Sequence, residues 1–228
     1  MNIYTYYDNV LDMLSDTQLE LIEIWKESWR KNGWNPIVLD NSYLNCLDDE
    51  IDYLKKLPSV NPENYEMSCF LRWNAMANVG GGWMCDYDVI NCGFSPSDAE
   101  NYESMSILQM NVPCLVYGTA EDYNKIFKIF STQSLNFTTS IKKEKGELEH
   151  VSDMIVISNL KNIYYTPRID ISTFYEDDFI KCYDKIDEYP NLDNSYRCDN
   201  EPSILVHCSA SSCDKSNLTK KEAMLLIK

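Results

Sequence analysis

The sequence contains few histidines, glycines and basic residues, and these shortages exclude several classes of function. Only 2 His occur in 228 residues, and no two cysteines are separated by two residues, so no zinc-ribbon pattern is present. The 36 acidic residues outnumber the 20 basic ones and give a net charge of -16. Nucleic acids and anionic membrane surfaces need a basic footprint, so neither is expected as a partner. A small phosphorylated ligand remains compatible, because a bound divalent cation reverses the local charge.

Long apolar runs are also missing. No stretch approaches the roughly 20 apolar residues that span a bilayer, and residues 1–8 lack the basic and apolar regions of a signal peptide. The 9 Cys are odd in number and do not suggest a disulfide framework. We expect reduced thiols, with Cys85 and Cys114 as small packing residues, in a soluble cytoplasmic protein (or in the host cytoplasm if a virus encodes the chain).

The composition otherwise predicts one globular α/β domain over residues 1–228. Hydrophobic residues make up 44% and charged residues 25% of the chain, which suffices to bury a full core. Residues 2–7 read as a buried strand, residues 19–29 carry apolar side chains at helical spacing, and residues 36–40 read as a second strand. This strand–helix–strand opening predicts a mostly parallel sheet flanked by helices.

Further elements follow from the same patterns. Helices are predicted at 44–57, 65–79 and 120–131, and strands at 83–85, 106–110, 114–117 and 204–207. Residues 151–157 fit a strand or a helix equally well, because the apolar run is too short to decide. Residues 184–202 are predicted to be a long surface loop.

The most informative block covers residues 68–89. In it a predicted helix carrying Arg72 leads through Gly80–Gly82 into a short strand and then into Asp86-Tyr-Asp88. Two carboxylates one residue apart at the end of a strand can point into one cleft, and carboxylate oxygens are the ligands that Mg²⁺ and Mn²⁺ prefer. The sequence therefore predicts a divalent-metal site at Asp86 and Asp88.

This block resembles the nucleotide-sugar glycosyltransferases of the GT-A fold, in particular the group of yeast-type mannosyltransferases, capsular polysaccharide enzymes and toxin glucosyltransferases. The positions that carry the resemblance are Arg72, Trp73, Gly81, Gly82, Trp83, Asp86 and Asp88. Members often place an aspartate just before the Arg-bearing part of the helix, where this chain has Cys69. The resemblance implies a GT-A-like fold, Mn²⁺ or Mg²⁺, a UDP- or GDP-linked sugar donor, and a glycan or glycoprotein acceptor.

The same resemblance implies roles for individual residues. Asp88 would bind the metal directly, and Asp86 would contact both the donor ribose and the metal. Arg72 would approach the diphosphate or the donor sugar; the alternative is a surface salt bridge. GT-A enzymes often supply a late histidine as a further metal ligand, and His207 at a predicted strand end suits this role. The small residues after it, represented by Ser209, would meet phosphate oxygens.

Three further site residues are predicted by position. Thr5 and Tyr6, at the end of the first strand, are expected beside the nucleotide base, although a tyrosine there is equally compatible with the core. Asp153 is the expected catalytic base, with a helix N-cap as the alternative. His150 lies in a charged stretch and is expected at the surface.

Two other function classes are compatible with parts of this sequence. A phosphohydrolase of the haloacid-dehalogenase type also uses an Asp-any-Asp motif, but that motif follows a buried strand near the start of its domain. Release of phosphate from sugar phosphates without an acceptor would indicate this class. A nucleotide- or carbohydrate-binding module without catalysis is the second alternative, and it would bind nucleoside diphosphates without turnover.

Overall fold

A central sheet of five strands organises the protein. The computed structural model describes residues 1–7, 16–61, 65–100, 102, 105–109, 112–143, 146–160, 171–173, 205–209, 213 and 218–227. Its strands are β1 (Asn2–Tyr6), β2 (Asn35–Leu39), β3 (Gly81–Cys85), β4 (Val89–Asn91), β5 (Ser106–Gln109), β6 (Val112–Thr119), β7 (Thr139–Lys143), β8 (Gly146–His150), β9 (Ile171–Thr173) and β10 (Leu205–His207). Its helices are α1 (Asp16–Lys31), α2 (Asp48–Leu54), α3 (Tyr65–Asn78), α4 (Ala120–Gln133), α5 (Asp153–Asn159) and α6 (Lys220–Ile227).

The central sheet has the strand order β2-β1-β3-β6-β5. Strand β1 pairs in parallel with both β2 and β3, whereas β6 pairs antiparallel with β3 and with β5. The predicted α/β fold with a central sheet flanked by helices is thus confirmed. β5 and β6 pair antiparallel because they follow each other closely in the chain, as the strands of a hairpin do.

Helices cover both faces of this sheet with large aromatic side chains. On one face α1 buries Trp25 and Trp29, which pack near Trp34 and Phe94. The other face is covered by α3 and α4, whose buried aromatic residues are Phe70, Trp73, Tyr123, Phe127 and Phe130. Removing side chains of this size from water contributes about 1.5–3 kcal/mol each, so these two layers fix the sheet against its helices.

The glycine run between α3 and β3 is required by the backbone. Gly81 has φ +80 and Gly82 has φ +113, a region that residues with a side chain rarely adopt. A Cβ on Gly81 would lie 2.6 Å from backbone atoms of Gly118, Thr119 and Ala120. The glycines thus allow α3 to end and β3 to start at Gly81, two residues earlier than predicted, close beside β6.

Several features differ from the sequence-based prediction. The helix predicted at 44–57 is shorter and spans Asp48–Leu54, and the undecided segment 151–157 forms α5. The small sheet β4-β10-β9, the hairpin β7–β8 and the helix α6 were not predicted in full. His150 is only 6% exposed, which contradicts its predicted surface position, because the end of β8 packs on the segment around Val60.

The loop predicted at 184–202 lies outside the described residues. Among the helices that are described, none combines the length and the apolar character needed to cross a bilayer. Cys85 and Cys114 are buried, as predicted for packing residues.

Candidate functional site

Asp86 and Asp88 lie on a tight turn directly after β3. The N–H of Asp86 donates to the carbonyl of Cys114 (2.8 Å), which holds the end of β3 against β6. The N–H of Val89 then donates back to the carbonyl of Asp86 (3.1 Å). This turn breaks the strand between the two carboxylates, so both reach the same cleft, as the motif predicted.

His207 joins the aspartates because of strand pairing in the small sheet. In the antiparallel register of β10 with β4, His207 lies opposite Val89, and the N–H of Cys208 donates to the carbonyl of Asp88 (2.8 Å). One ligand atom from each of Asp86, Asp88 and His207 lies within 4.8 Å of the others. The structure therefore brings together the three residues that were predicted to hold a metal.

The ring of His207 is oriented by a residue that the sequence did not identify. Its Nδ1 lies 2.9 Å from the Oε1 of Gln109, which also accepts a hydrogen bond from the thiol of Cys114 (3.0 Å). Because its neighbour is an amide oxygen, Nδ1 donates this hydrogen bond, and Nε2 is the nitrogen that faces Oδ1 of Asp88, at 3.6 Å. Histidines that ligate a metal through one nitrogen are commonly held in this way through the other.

Lys220, at the start of α6, is a second functional candidate that the sequence did not indicate. Its ammonium group lies 2.5 Å from Oδ2 of Asp88 and 5.3 Å from the centre of the Tyr87 ring. Burial alone would raise the pKa of Asp88, but the charges of Lys220 and His207 hold that pKa below its ordinary value. Ser209, two residues after His207, is half-buried.

Arg72 links the aspartate turn to α5. It is 9% exposed, and its guanidinium forms ion pairs with Asp86 and, at 2.6 Å, with Asp153. Burial raises the pKa of Asp86 and the charge of Asp88 adds to this, while Arg72 opposes it. The alternative of a solvated surface salt bridge is therefore wrong for Arg72, which is buried between two carboxylates.

Asp153 is among the least accessible of the predicted site residues. It is 2% exposed, with Oδ2 on Arg72 and Oδ1 accepting the N–H of Met154 (2.7 Å). The helix cap predicted as its alternative role belongs to the preceding residue, since Ser152 accepts from the N–H of Ile155. Both oxygens of Asp153 are thus engaged, and the side chain holds Arg72 in place.

Comparison with known proteins places the chain in a family. A family profile described as a domain of unknown function (DUF8765) matches residues 1–195. The chain belongs to the DUF8765 family. No curated protein matches it.

Solved structures resemble this member of the DUF8765 family over nearly its whole length. A crystal structure of an active-site mutant of LgtC covers 99% of this chain and 95% of its own, with 11% identity and a TM-score of 0.53. The galactosyltransferase LgtC in complex with donor and acceptor sugar analogues covers 100% and 95%, again with 11% identity, at a TM-score of 0.50. The fold of this chain is therefore GT-A-like.

A second group of potential ligands lies on the other side of Arg72. It consists of Glu66, Cys69 and Asp153, whose ligand atoms also lie within 4.8 Å of one another. Burial raises the pKa of Glu66 to about 7 and that of the Cys69 thiol well above its usual range, so both groups tend to keep their protons. Because its glutamate and its thiol tend to keep their protons, this group offers a cation less than the first one does.

The residues predicted to contact a nucleotide base have buried side chains. Thr5 is 1% and Tyr6 9% exposed, and the Tyr6 hydroxyl donates to Oδ1 of Asn41 (2.7 Å). Their contact with a base stays a prediction. The next residue, Tyr7, meets the ring of Tyr87 edge-on at 6.0 Å, so the aromatic pair beside the aspartates is Tyr7 and Tyr87.

Proposed function

We propose that this protein is a metal-dependent glycosyltransferase that moves a sugar from a UDP- or GDP-linked donor to a hydroxyl group of a glycan or glycoprotein. The observation that carries the proposal is the convergence of Asp86, Asp88 and His207 at the end of β3 in a GT-A-like fold. Residues 1–228 would act as one catalytic unit.

The residues of this site suit a divalent cation. Two carboxylates and one imidazole with an available Nε2 form a set of oxygen and nitrogen donors that accepts Mn²⁺ and, with more water ligands, Mg²⁺. Such a cation supplies positive charge to a leaving diphosphate. Asp88 and His207 would bind it directly, and Asp86 would do so while contacting the donor.

The remaining residues provide positioning and charge. Arg72 orients the carboxylate of Asp86 and is itself held by Asp153. Lys220 already neutralises one oxygen of Asp88, and it adds a second positive charge beside the place where a diphosphate would bind. Ser209 has a hydroxyl group on the same segment as His207 and remains the predicted phosphate contact.

The role of Asp153 in transfer needs its own test. As a catalytic base it would have to release Arg72 before it accepts a proton from the acceptor, because both of its oxygens are engaged. If it acts as the base, Asp153→Asn abolishes transfer and spares donor binding. If it positions Arg72, the same variant weakens donor binding as well, and the pH profile of the residual activity keeps its shape. Transfer activity against pH, measured together with nucleotide affinity, separates the two roles.

The main experiment is a calorimetric titration of UDP and of GDP into the protein, first with Mn²⁺ and then with EDTA. Binding of one nucleotide that requires the metal is expected. Asp88→Asn should abolish it while the variant remains folded, with a lower unfolding temperature because the ion pair with Lys220 is lost. Asp52→Asn, at an exposed position of α2, is the matched control and should bind normally. Normal metal-dependent binding by Asp88→Asn would overturn the proposal. Release of the nucleoside diphosphate from a sugar nucleotide then distinguishes an enzyme from a binding module.

A further inference from the structure

A cavity of about 380 Å³ lies at the opposite end of the central strands from the aspartates. Its walls include Asn2, Tyr4, Gly82, Glu100, Tyr102 and Tyr117. Asn2 begins β1 and Gly82 is the second residue of β3, whereas Asp86 follows the last residue of β3. At about 3.3 Å per residue along a strand, the cavity and Asp86 are separated by roughly 13 Å.

The missing side chain of Gly82 makes room for this cavity. A Cβ at this position would lie 3.7 Å from Cε2 of Tyr4, so the tyrosine ring lies over the glycine. The ring is held in place, because the Asn2 amide donates to the Tyr4 hydroxyl (3.0 Å) and accepts from Asn35 (2.9 Å). The cavity is therefore built by β1 and β3 together, around a tyrosine with a fixed orientation.

The second aromatic wall comes from β6. Tyr117 lies opposite Trp83 in the register of β3 with β6, and their ring centroids are 5.3 Å apart. Tyr117 is half-buried, so part of its ring faces the cavity, whereas Trp83 is 1% exposed. The indole N–H of Trp83 is buried and, within the described part of the chain, has no hydrogen-bond partner. Trp83 also lines the cavity, so its indole signal reports on a ligand that binds there.

These walls define the chemistry of a ligand. Tyrosine rings present flat apolar faces with polar tips, which match the C–H face and the hydroxyl edge of a pyranose ring. The carboxylate of Glu100 and the net charge of -16 disfavour an anionic ligand. Small-molecule sites usually measure about 300–1,000 Å³, and this cavity is at the lower end, so it admits a sugar more readily than a nucleotide.

We propose that this cavity binds one or two uncharged sugar residues, independently of the site at Asp86 and Asp88. The proposal that the cavity binds a sugar rests on its walls and volume and does not depend on the proposed enzymatic function. A role in holding a remote part of the acceptor glycan rests on the proposed function, because only a glycosyltransferase would need its acceptor there.

The test is a titration of the ¹⁵N-labelled full chain with lactose, maltose and glucuronic acid in EDTA and without nucleotide. The indole signal of Trp83, assigned by comparison with Trp83→Phe, should shift with a neutral disaccharide and not with glucuronic acid. Tyr4→Phe and Tyr117→Phe each remove one hydroxyl group and should weaken binding about threefold to tenfold. Tyr43→Phe, at an exposed tyrosine, is the matched control and should bind like the wild type.

Several results would overturn the proposal. One is a Trp83 signal that shifts with neither disaccharide. Another is a double variant Tyr4→Phe/Tyr117→Phe that binds the disaccharide with wild-type affinity. Asp88→Asn separates this proposal from the previous one, because it should lose nucleotide binding and keep sugar binding. Loss of sugar binding in a folded Asp88→Asn would place the sugar at the aspartates and reject a second site. A chain that binds the disaccharide but no nucleotide would reject only the glycosyltransferase proposal.

Discussion

Two groups of three potential metal ligands lie on either side of Arg72, and they differ in what surrounds them. The first group contains Asp86, Asp88 and His207, and the second contains Glu66, Cys69 and Asp153. In the first group Lys220 and an oriented imidazole accompany the carboxylates, and Asp88 keeps a lowered pKa. In the second group, burial raises the pKa values of Glu66 and Cys69.

This difference shows that ligand identity and proximity do not by themselves make a metal site. The first group has one carboxylate with a lowered pKa, that of Asp88, and a histidine whose Nε2 faces this carboxylate, so it is better prepared for a cation. The second group contains a protonated thiol and a carboxylate already bound to Arg72, so it supports the first group. Arg72 connects them, because one guanidinium pairs with both Asp86 and Asp153.

The largest effect is expected when this connection is removed. Arg72→Met leaves Asp86 and Asp153 without their common partner, and loss of one member of a buried ion pair costs about 3–5 kcal/mol. Denaturant unfolding should show a decrease of that size in the free energy of unfolding. Lys125→Met removes an exposed ion pair with Glu121 on α4 and should leave unfolding unchanged. Equal stability of both variants would mean that the two groups are not joined through Arg72.

A smaller effect, confined to the second group, is expected from Glu66. The pKa of the Glu66 carboxyl group is 4.5 in the unfolded chain and about 7 in the folded protein. The folded state therefore binds this proton more tightly than the unfolded state does. The contribution of Glu66 to stability therefore falls as the pH rises from 4.5 to about 7, by about 3 kcal/mol at most.

Glu66→Gln should remove this part of the pH dependence and make the protein more stable than the wild type above pH 7. Unfolding by denaturant at a series of pH values measures it, with Glu147→Gln on exposed β8 as the control. An identical pH dependence in wild type and Glu66→Gln would show that Glu66 titrates normally, and that the second group is no more protonated than the first.

The smallest effect concerns the orientation of one ligand in the first group. Gln109→Leu removes the acceptor that holds Nδ1 of His207 and should weaken Mn²⁺ affinity about 10- to 100-fold, with little change in fold. Calorimetric titration of Mn²⁺ in the presence of the nucleotide measures it, and Gln133→Leu, at an exposed position of α4, is the control. Unchanged Mn²⁺ affinity would show that His207 needs no such support or is not a ligand.

Local patterns in the sequence predicted much of the fold. The helical spacing of Trp25 and Trp29 places both on the buried side of α1, and the glycines before β3 adopt backbone angles that few other residues accept. Such features depend on neighbours within a few residues, so they are readable without the rest of the chain. The aspartate turn is also readable from local sequence, because its two carboxylates are separated by a single residue.

The burial of single residues was harder to predict. His150 lies in a charged stretch, which predicts an exposed side chain. It is instead buried, and its Nδ1 accepts a hydrogen bond from the backbone N–H of Val60 (3.3 Å). Tyr6 was equally compatible with a ligand contact and with the core, and only the fold shows that its side chain is buried and that its hydroxyl group binds Asn41. Both contacts join segments that are distant in the chain, and composition around a residue carries no information about them.

The sequence by itself determined the strand–helix–strand opening, the glycine break between α3 and the next strand, and the paired aspartate motif after that strand. The tertiary structure alone decided which other groups surround that motif. The register of β10 against β4 brings His207 to Asp88, β5 supplies Gln109, and α6 supplies Lys220. These partners come from separate elements, and only the packing of the sheets and helices brings their side chains within hydrogen-bonding distance.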